Sequence, residues 1–194
     1  AFVGKVFVAV GILQLIEQGK IQFEDTLGDL LEIELGQIDV DVTVRQLLTH
    51  TSGVPDYFDE SVMEEYEELW IEYPNYRIRH NNDLFPLFLD KPMMYPKGEK
   101  FQYNNSGYVL LASMHFDEYL QKYVFDVCNM TSPGYYELDR LPAKCASNYI
   151  WCDDTKSFRT NIFSVDAKGT GAGGAFITVK DIANFWKGLL GGKL

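Results

Sequence analysis

The chain has 194 residues and a formal net charge of −11 at pH 7. Its content of 46% hydrophobic and 14% aromatic residues is enough to bury a core, which excludes a disordered chain. The acidic charge argues against nucleic acid or an anionic membrane surface as a partner, and no apolar run is long enough to span a bilayer.

The first predicted element is a buried helix over residues 6–16, which are apolar on every side and are followed by Gly19 as a stop signal. Lys5 stands at the head of this helix, where the macrodipole disfavours a cation by roughly 0.3–1 kcal/mol. Taken alone, Lys5 is interpreted as a solvated lysine at a frayed helix end.

Capping signals predict the next two helices. Thr26 is followed three residues later by Asp29, the spacing of a capping box. Thr43 and Gln46 repeat this arrangement and predict a helix over residues 44–50.

Two further helices are predicted in the middle of the chain. Residues 60–76 are acidic and aromatic, which favours a helix with a solvated acidic face. Asn105 or Ser106 is the predicted N-cap of a buried helix over residues 107–113.

The last third of the sequence predicts a small extended part and a closing helix. Short alternating runs at residues 149–151 and 158–165 favour strands or extended loops. Thr178 and Asp181 begin an amphipathic helix. The expected structure is mostly helical and forms one unit over residues 1–194.

The sequence contains no motif that is typical of a metal site or of a redox centre. The three histidines lie far apart without H-x-x-x-H spacing, so each is assigned a structural or surface role. The three cysteines form no C-x-x-C pair, and reduced thiols are expected, with a bridge between the last two left open for an exported chain. These residues are His50, His80, His115, Cys128, Cys145 and Cys152.

The glycine run near the end satisfies the dinucleotide pattern G-x-G-x-x-G at Gly169, Gly171 and Gly174. That pattern needs a buried strand before its first glycine and a helix that begins inside the motif. Here the preceding residues are polar and the helix signal waits until Thr178. We therefore interpret the glycines as a close-packed backbone crossing.

A lysine at a helix start also fits one design of serine hydrolase, in which S-x-x-K places a serine and a lysine one helical turn apart. The lysine accepts the proton of the serine only when it is neutral, so its pKa near 10.4 must fall by about 3 units. Burial and a helix N-terminus both lower that pKa. Tyr103 and Asn105 form a second motif, Y-x-N, which supplies a phenol that can relay a proton and an amide two residues on.

Four segments carry a resemblance that is more specific than either motif. In chain order they read GKVFVAVGILQLIEQGKIQFEDTL, VTVRQLLTHTSGVPDY, PKGEKFQYNNSGYVLLA and GTGAGGAFITVKDIANFW. Together they closely resemble the class C-like branch of the serine β-lactamase and penicillin-binding protein superfamily, which includes esterases and D-amino-acid peptidases.

The resemblance implies an α+β fold, an antiparallel sheet flanked by helices and joined to a largely helical region, with the active site at the junction. This sequence would supply mainly the helical region. The implied reaction is acyl transfer from an amide, ester or β-lactam carbonyl of a small-molecule or peptide substrate, without metal or organic cofactor. The implied location is the cell envelope or the outside of the cell for a protein like the penicillin-binding proteins, and the cytoplasm otherwise.

The resemblance also implies roles for individual residues. Lys5 matches the general base of S-x-x-K. Tyr103 would help to deprotonate the serine and then protonate the leaving group, and Asn105 would contact the lysine and the amide of the substrate. His50 lies in the signature LTHTSG with an architectural role, and Tyr57 is expected near the cleft as a substrate-binding residue.

The sequence departs from the family pattern at several places. Phe2 stands three residues before Lys5, where S-x-x-K requires serine. The third motif, K-T-G or H-x-G, is absent and is expected on a strand after Leu194, and the helix after Y-x-N is short near residues 113–114.

Two explanations of these departures stay open. In one, the sequence is part of a longer protein, incomplete at both ends and in the loop near residues 113–114, with a bare or modified serine between Phe2 and Val3. In the other, the chain is an inactive homologue that binds peptidoglycan-like or peptide ligands without turnover.

Overall fold

The structure is a computed structural model and describes residues 3–113 and 116–194. The α-helices of this part of the chain are α1 (Gly4–Glu17), α2 (Leu27–Leu30), α3 (Val44–Leu48), α4 (Leu69–Glu72), α5 (Ser106–Leu111), α6 (Phe116–Leu120) and α7 (Val179–Leu190). Strands β1 (Tyr149–Cys152) and β2 (Ser157–Thr160) form an antiparallel hairpin in which Tyr149 faces Thr160. Shorter helical turns of the 3-10 type span Tyr66–Glu68, Asn75–Arg77 and Asn81–Leu87, and a π-helical segment spans Gln121–Phe125.

Helix α1 confirms the predicted first helix and its stop signal. Gly19 has a φ of +66°, a conformation that glycine adopts without strain. Its N–H donates to the carbonyl of Ile16 at 2.9 Å, and the N–H of Lys20 donates to Leu15 at 3.0 Å. This pair of hydrogen bonds is the Schellman motif, which satisfies the last carbonyls of a helix.

The burial of α1 is one-sided, which corrects the expectation of a helix covered all round. Phe7 is fully buried, with its ring edge-on to Phe125 at 5.2 Å and to Phe185 at 4.8 Å between centroids. Val6 and Leu13 on another face are 36% and 45% exposed. Apolar composition predicted burial, but it could not tell which face of the helix meets the core.

The three predicted capping boxes are present at the starts of α2, α3 and α7. In each, the threonine hydroxyl oxygen accepts the N–H of the residue three positions on, whose side chain accepts the N–H of the threonine. The pairs are Thr26 with Asp29, Thr43 with Gln46, and Thr178 with Asp181. Helix α3 ends two residues short of the predicted residue 50, because His50 has left the helical conformation with a φ of +57°.

The prediction of one helix over residues 60–76 is wrong. The Glu68 carboxylate accepts the N–H groups of Glu64 at 3.1 Å and Glu65 at 2.8 Å, and so starts a new helical turn there. Pro74 lacks an N–H and follows the end of α4 closely. The segment is therefore broken into short turns.

Helix α5 lies between two apolar clusters and so fixes the position of the residues just before it. Val109 and Leu110 belong to the cluster that includes α3, whereas Tyr108 and Ala112 belong to the cluster that includes α1, α6 and α7. The predicted helix is present with Asn105 at its N-cap position, but the Asn105 side chain forms no capping hydrogen bond. The side-chain oxygen of Asn104 instead accepts the N–H of Gly107 at 2.7 Å.

The architecture agrees with the expected α+β class, with many helices and a small antiparallel sheet. No helix within residues 3–113 and 116–194 combines the length and the apolar character that a membrane span requires. Phe2, His115 and part of the shortened loop at residues 113–114 lie outside the described residues.

Candidate active site

The structure brings Lys5 together with Tyr103 and Asn105, which the sequence also singled out and which follow it about 100 positions later in the chain. Lys5 lies in the first turn of α1 and is only 5% exposed. Its Nζ donates a hydrogen bond to Oδ1 of Asn105 at 2.9 Å and another to the carbonyl oxygen of Ala172. The same atom lies 5.0 Å from the centre of the Tyr103 ring. Lys5 is therefore not a solvated lysine at a frayed end.

Burial lowers the pKa of Lys5 to about 7, and the negative charges of Asp56 and Glu60 oppose part of that change. Removal from water disfavours the ammonium form, and the helix N-terminus acts in the same direction. Near neutral pH a large share of the molecules therefore carries Lys5 as a neutral amine, which can accept a proton.

His50 organises the loop that carries Tyr103. The Nδ1 atom of His50 accepts the N–H of Asn104 at 3.1 Å, and its carbonyl accepts the N–H of Gln102 at 2.9 Å. The imidazole ring stacks beside the Tyr103 ring with 4.7 Å between centroids. Burial and the charge of Lys5 lower the pKa of His50, so the ring is neutral at pH 7 with its proton on Nε2. The geometry agrees with the architectural role expected for His50.

The environment of Tyr103 keeps its hydroxyl protonated. Burial raises the pKa of Tyr103, and the negative charges of Asp56 and Glu60 raise it further. A neutral phenol beside a neutral amine can give and take a proton without a free charge in the interior.

Asp56 is a central residue of the site that sequence reasoning missed. One of its oxygens accepts the N–H of Asn105 at 2.9 Å and its side-chain amide at 3.1 Å. The other accepts the N–H and the hydroxyl of Ser106, each at 3.2 Å. Because the Asn105 amide nitrogen faces Asp56, its oxygen is turned toward Lys5. In the sequence Asp56 directly follows Pro55, a pattern typical of a turn, so nothing there indicates a buried carboxylate.

Tyr57 lines a cavity together with Asn105 and begins a hydrogen-bonded row of side chains. Its N–H donates to the Ser106 hydroxyl at 2.9 Å, and its own hydroxyl is 3.2 Å from that of Tyr66. The Tyr66 hydroxyl in turn donates to the carboxylate of Asp166 at 3.1 Å. Sequence reasoning missed both Tyr66 and Asp166.

Beside these groups lies a cavity of about 510 Å³. Asn105 and Ala172, the two acceptors of Lys5, lie in its wall together with Tyr57, Tyr66 and Asp166. The volume lies in the range of small-molecule sites. The cavity and the buried lysine form the candidate active site.

The glycine run is a close-packed crossing, as the sequence indicated. A Cβ added at Gly169 would lie 2.6 Å from the carbonyl oxygen of Gly174, and one at Gly171 would lie 2.4 Å from both the Ala112 Cβ and the Tyr108 carbonyl oxygen. The crossing brings the carbonyl of Ala172 against Lys5.

Gly171→Ala is expected to destabilise the fold by about 2–3 kcal/mol, because backbone and a helix face leave no room for a methyl group. The measurement is the free energy of unfolding in urea. Gly19→Ala is the matched control: nothing lies within 4 Å of its Cβ position, so only its positive φ adds strain, worth about 1 kcal/mol. Equal losses for the two variants would contradict the packing explanation.

Within the described residues no cluster of histidine, cysteine or carboxylate side chains could hold a metal ion. Cys128, Cys145 and Cys152 are free thiols in the structure.

A model of the Beta-lactamase family matches residues 3–194. Among solved structures, a penicillin binding protein from Bacillus halodurans superposes with a TM-score of 0.93 at 40% sequence identity, covering 100% of this chain and 60% of that chain. A D-stereospecific amidohydrolase from Streptomyces sp. superposes with a TM-score of 0.77 at 19% identity, covering 100% of this chain and 61% of that one, a likeness of fold alone.

Among curated proteins, Penicillin-binding protein 4* of Bacillus subtilis (strain 168) is 28% identical over 153 residues, which are 74% of this chain and 32% of that protein. A putative penicillin-binding protein of the same organism is 27% identical over 203 aligned positions, covering 98% of this chain and 45% of that protein. The chain thus spans less than half the length of these two curated relatives.

Proposed function

Since the chain belongs to the Beta-lactamase family, a family of serine hydrolases, we propose that its protein transfers acyl groups through a serine located three residues before Lys5. The serine oxygen attacks the carbonyl carbon of an amide, ester or β-lactam, and the bond to the leaving nitrogen or oxygen breaks. The acyl group is then on the serine, and water releases it as a carboxylic acid.

One observation carries this proposal. Lys5 is buried, its pKa is about 7, and its Nζ is held by Asn105 and by the Ala172 carbonyl. A lysine that has no catalytic role is more stable with its ammonium group in water, whereas a general base that acts near neutral pH needs this lowered pKa.

The other proposed roles follow from the contacts of Lys5. The neutral amine takes the serine proton, and the phenol of Tyr103, beside it, passes a proton to the leaving group. Asn105 fixes the direction of the amine and lies in the wall of the cavity, where it would contact an amide of the substrate. Tyr57, in the wall, would contact the substrate with its ring and hydroxyl.

Phe2 favours a second candidate function. With phenylalanine three residues before Lys5, the chain as written has no nucleophile, and losing a catalytic serine costs on the order of 10⁶-fold in rate. The same cavity would then bind peptidoglycan-like or peptide ligands without turnover. Phe2 lies outside the described residues, so covalent labelling of the protein is the experiment that distinguishes the two candidate functions.

The test is covalent labelling of the protein with benzylpenicillin and with a fluorophosphonate probe, followed by tandem mass spectrometry of the tryptic peptide that ends at Lys5. An adduct on a serine just before Val3 is the expected result. No adduct, phenylalanine at that place and saturable ligand binding would support the second candidate.

The variant Phe2→Ser separates a missing nucleophile from a defective site. If the machinery around Lys5 is intact, Phe2→Ser is labelled even where the unchanged chain is not. Phe2→Ala is the matched control, because it removes the same ring without adding a hydroxyl. A Phe2→Ser variant that stays unlabelled, in a protein that has no serine there, would overturn the acyl-transfer proposal.

A further inference from the structure

Asp166 lies in the cavity wall on a loop that is held rigidly. The side-chain nitrogen of Asn75, a buried residue, donates to the carbonyls of Ile162 at 2.8 Å and Val165 at 2.7 Å. The carbonyl of Asn75 accepts the N–H of Ala167. The backbone on both sides of Asp166 is therefore fixed by one asparagine, and its carboxylate has a defined place in the wall.

The carboxylate of Asp166 has a hydroxyl partner and no cationic one. The Tyr66 hydroxyl lies 3.1 Å and 3.2 Å from its two oxygens. Among residues 3–113 and 116–194, no lysine or arginine forms an ion pair with it. Burial raises the pKa of Asp166 to about 7, as expected for a carboxyl group that lacks a compensating cation. A carboxyl group with a raised pKa in the wall of a cleft is a candidate for a functional site.

Asp166 is the one ionisable carboxylate among the described residues that line the cavity. Lys5 lies behind the other end of the cavity, where Asn105 and Ala172 line the wall, and it is largely a neutral amine near neutral pH. The wall near Asp166 is aromatic, formed by Tyr57, Phe58 and Tyr66. An aromatic wall with one carboxylate suits an organic ammonium ion, because the ring faces and the carboxylate attract the same charge.

We propose that Asp166 binds a primary ammonium group of the substrate, so that the preferred substrates are amides or peptides with a free amino group. One cavity connects Asp166 with Asn105 and Ala172, so a single molecule can reach both its carboxylate and the atoms around Lys5. The ammonium group supplies the positive partner that the described chain does not provide. The reaction of this substrate rests on the proposed function, but its binding does not.

The test is calorimetric binding of three ligands to the full chain at pH 7.5. D-phenylalanine amide carries the ammonium group, N-acetyl-D-phenylalanine amide replaces it with a neutral amide, and 3-phenylpropanamide omits it without adding bulk. We expect D-phenylalanine amide to bind at least about tenfold more tightly than the two neutral ligands, the scale of a charge-assisted hydrogen bond.

Asp166→Asn keeps the shape of the side chain and its acceptor for Tyr66, but removes the charge. It is expected to lose the preference for D-phenylalanine amide while binding 3-phenylpropanamide with unchanged affinity. Asp153→Asn is the matched control, because Asp153 is an exposed carboxylate of the hairpin turn and does not line the cavity. This variant is expected to keep the preference.

The outcomes distinguish this inference from the proposed function. Equal binding of all three ligands, or equal losses for all three in Asp166→Asn, would overturn the ammonium site even if the protein forms an acyl-enzyme. A preference that depends on Asp166 in a protein that no probe labels would leave the ammonium site standing and count against acyl transfer.

Discussion

Lys5→Met is expected to slow covalent labelling by about 10³-fold at pH 7, in whichever form of the protein is labelled, the unchanged chain or Phe2→Ser. Methionine fills a similar volume without an amine, so the serine loses its proton acceptor while the packing of α1 is kept. Removal of a positioned general base costs about 10²–10⁴-fold. The measurement is the second-order rate constant of labelling by a fluorophosphonate probe.

The matched control for that variant is Lys20→Met, which removes an exposed lysine after the end of the same helix. It is expected to label at the unchanged rate. A tenfold or smaller loss in Lys5→Met, or an equal loss in both variants, would show that Lys5 does not activate the nucleophile.

The lowered pKa of Lys5 also links stability to pH, with a sign that can be tested in the same variant. The folded chain releases the Lys5 proton near pH 7, whereas the unfolded chain keeps it until about 10.5. Between these values the unfolded state binds more protons, so stability rises with pH. Lys5 alone contributes a rise of about 3 kcal/mol from pH 7 to 9.5. In Lys5→Met, the free energy of unfolding in urea is expected to lack this increase between pH 7 and 9.5.

Asp56→Ala is expected to destabilise the protein by about 3–5 kcal/mol, because several buried donors lose their acceptor and each such loss costs about 1–3 kcal/mol. The change leaves the donors of Asn105 and Ser106, which are 3% and 0% exposed, without their shared acceptor. The Asn105 amide then loses the contact that turns its oxygen toward Lys5. The measurement is the midpoint and slope of urea unfolding.

The matched control for Asp56→Ala is Glu72→Ala, which removes an exposed carboxylate of α4 and is expected to change stability by less than about 0.5 kcal/mol. A loss below about 1 kcal/mol for Asp56→Ala would indicate that water replaces the carboxylate. That result would contradict the role of Asp56 as the residue that orients Asn105 and Ser106.

Local signals predicted the features whose causes lie within a few residues. The capping boxes at Thr26, Thr43 and Thr178 and the stop at Gly19 are confirmed, since each depends on hydrogen bonds within one turn. The long helix over residues 60–76 was predicted wrongly, because the Glu68 side chain starts a new turn that helix propensity does not describe.

The sequence by itself indicated the family, the class of fold and the candidate residues Lys5, Tyr103 and Asn105, because those residues stand in motifs of fixed spacing. Only the tertiary structure assigned Asp56 and Asp166 to the site. Their significance comes from contacts across 49 to 100 positions of chain and from removal from water. The sequence does not distinguish an aspartate in an exposed turn from a buried aspartate. Only the tertiary structure shows which carboxylate is removed from water.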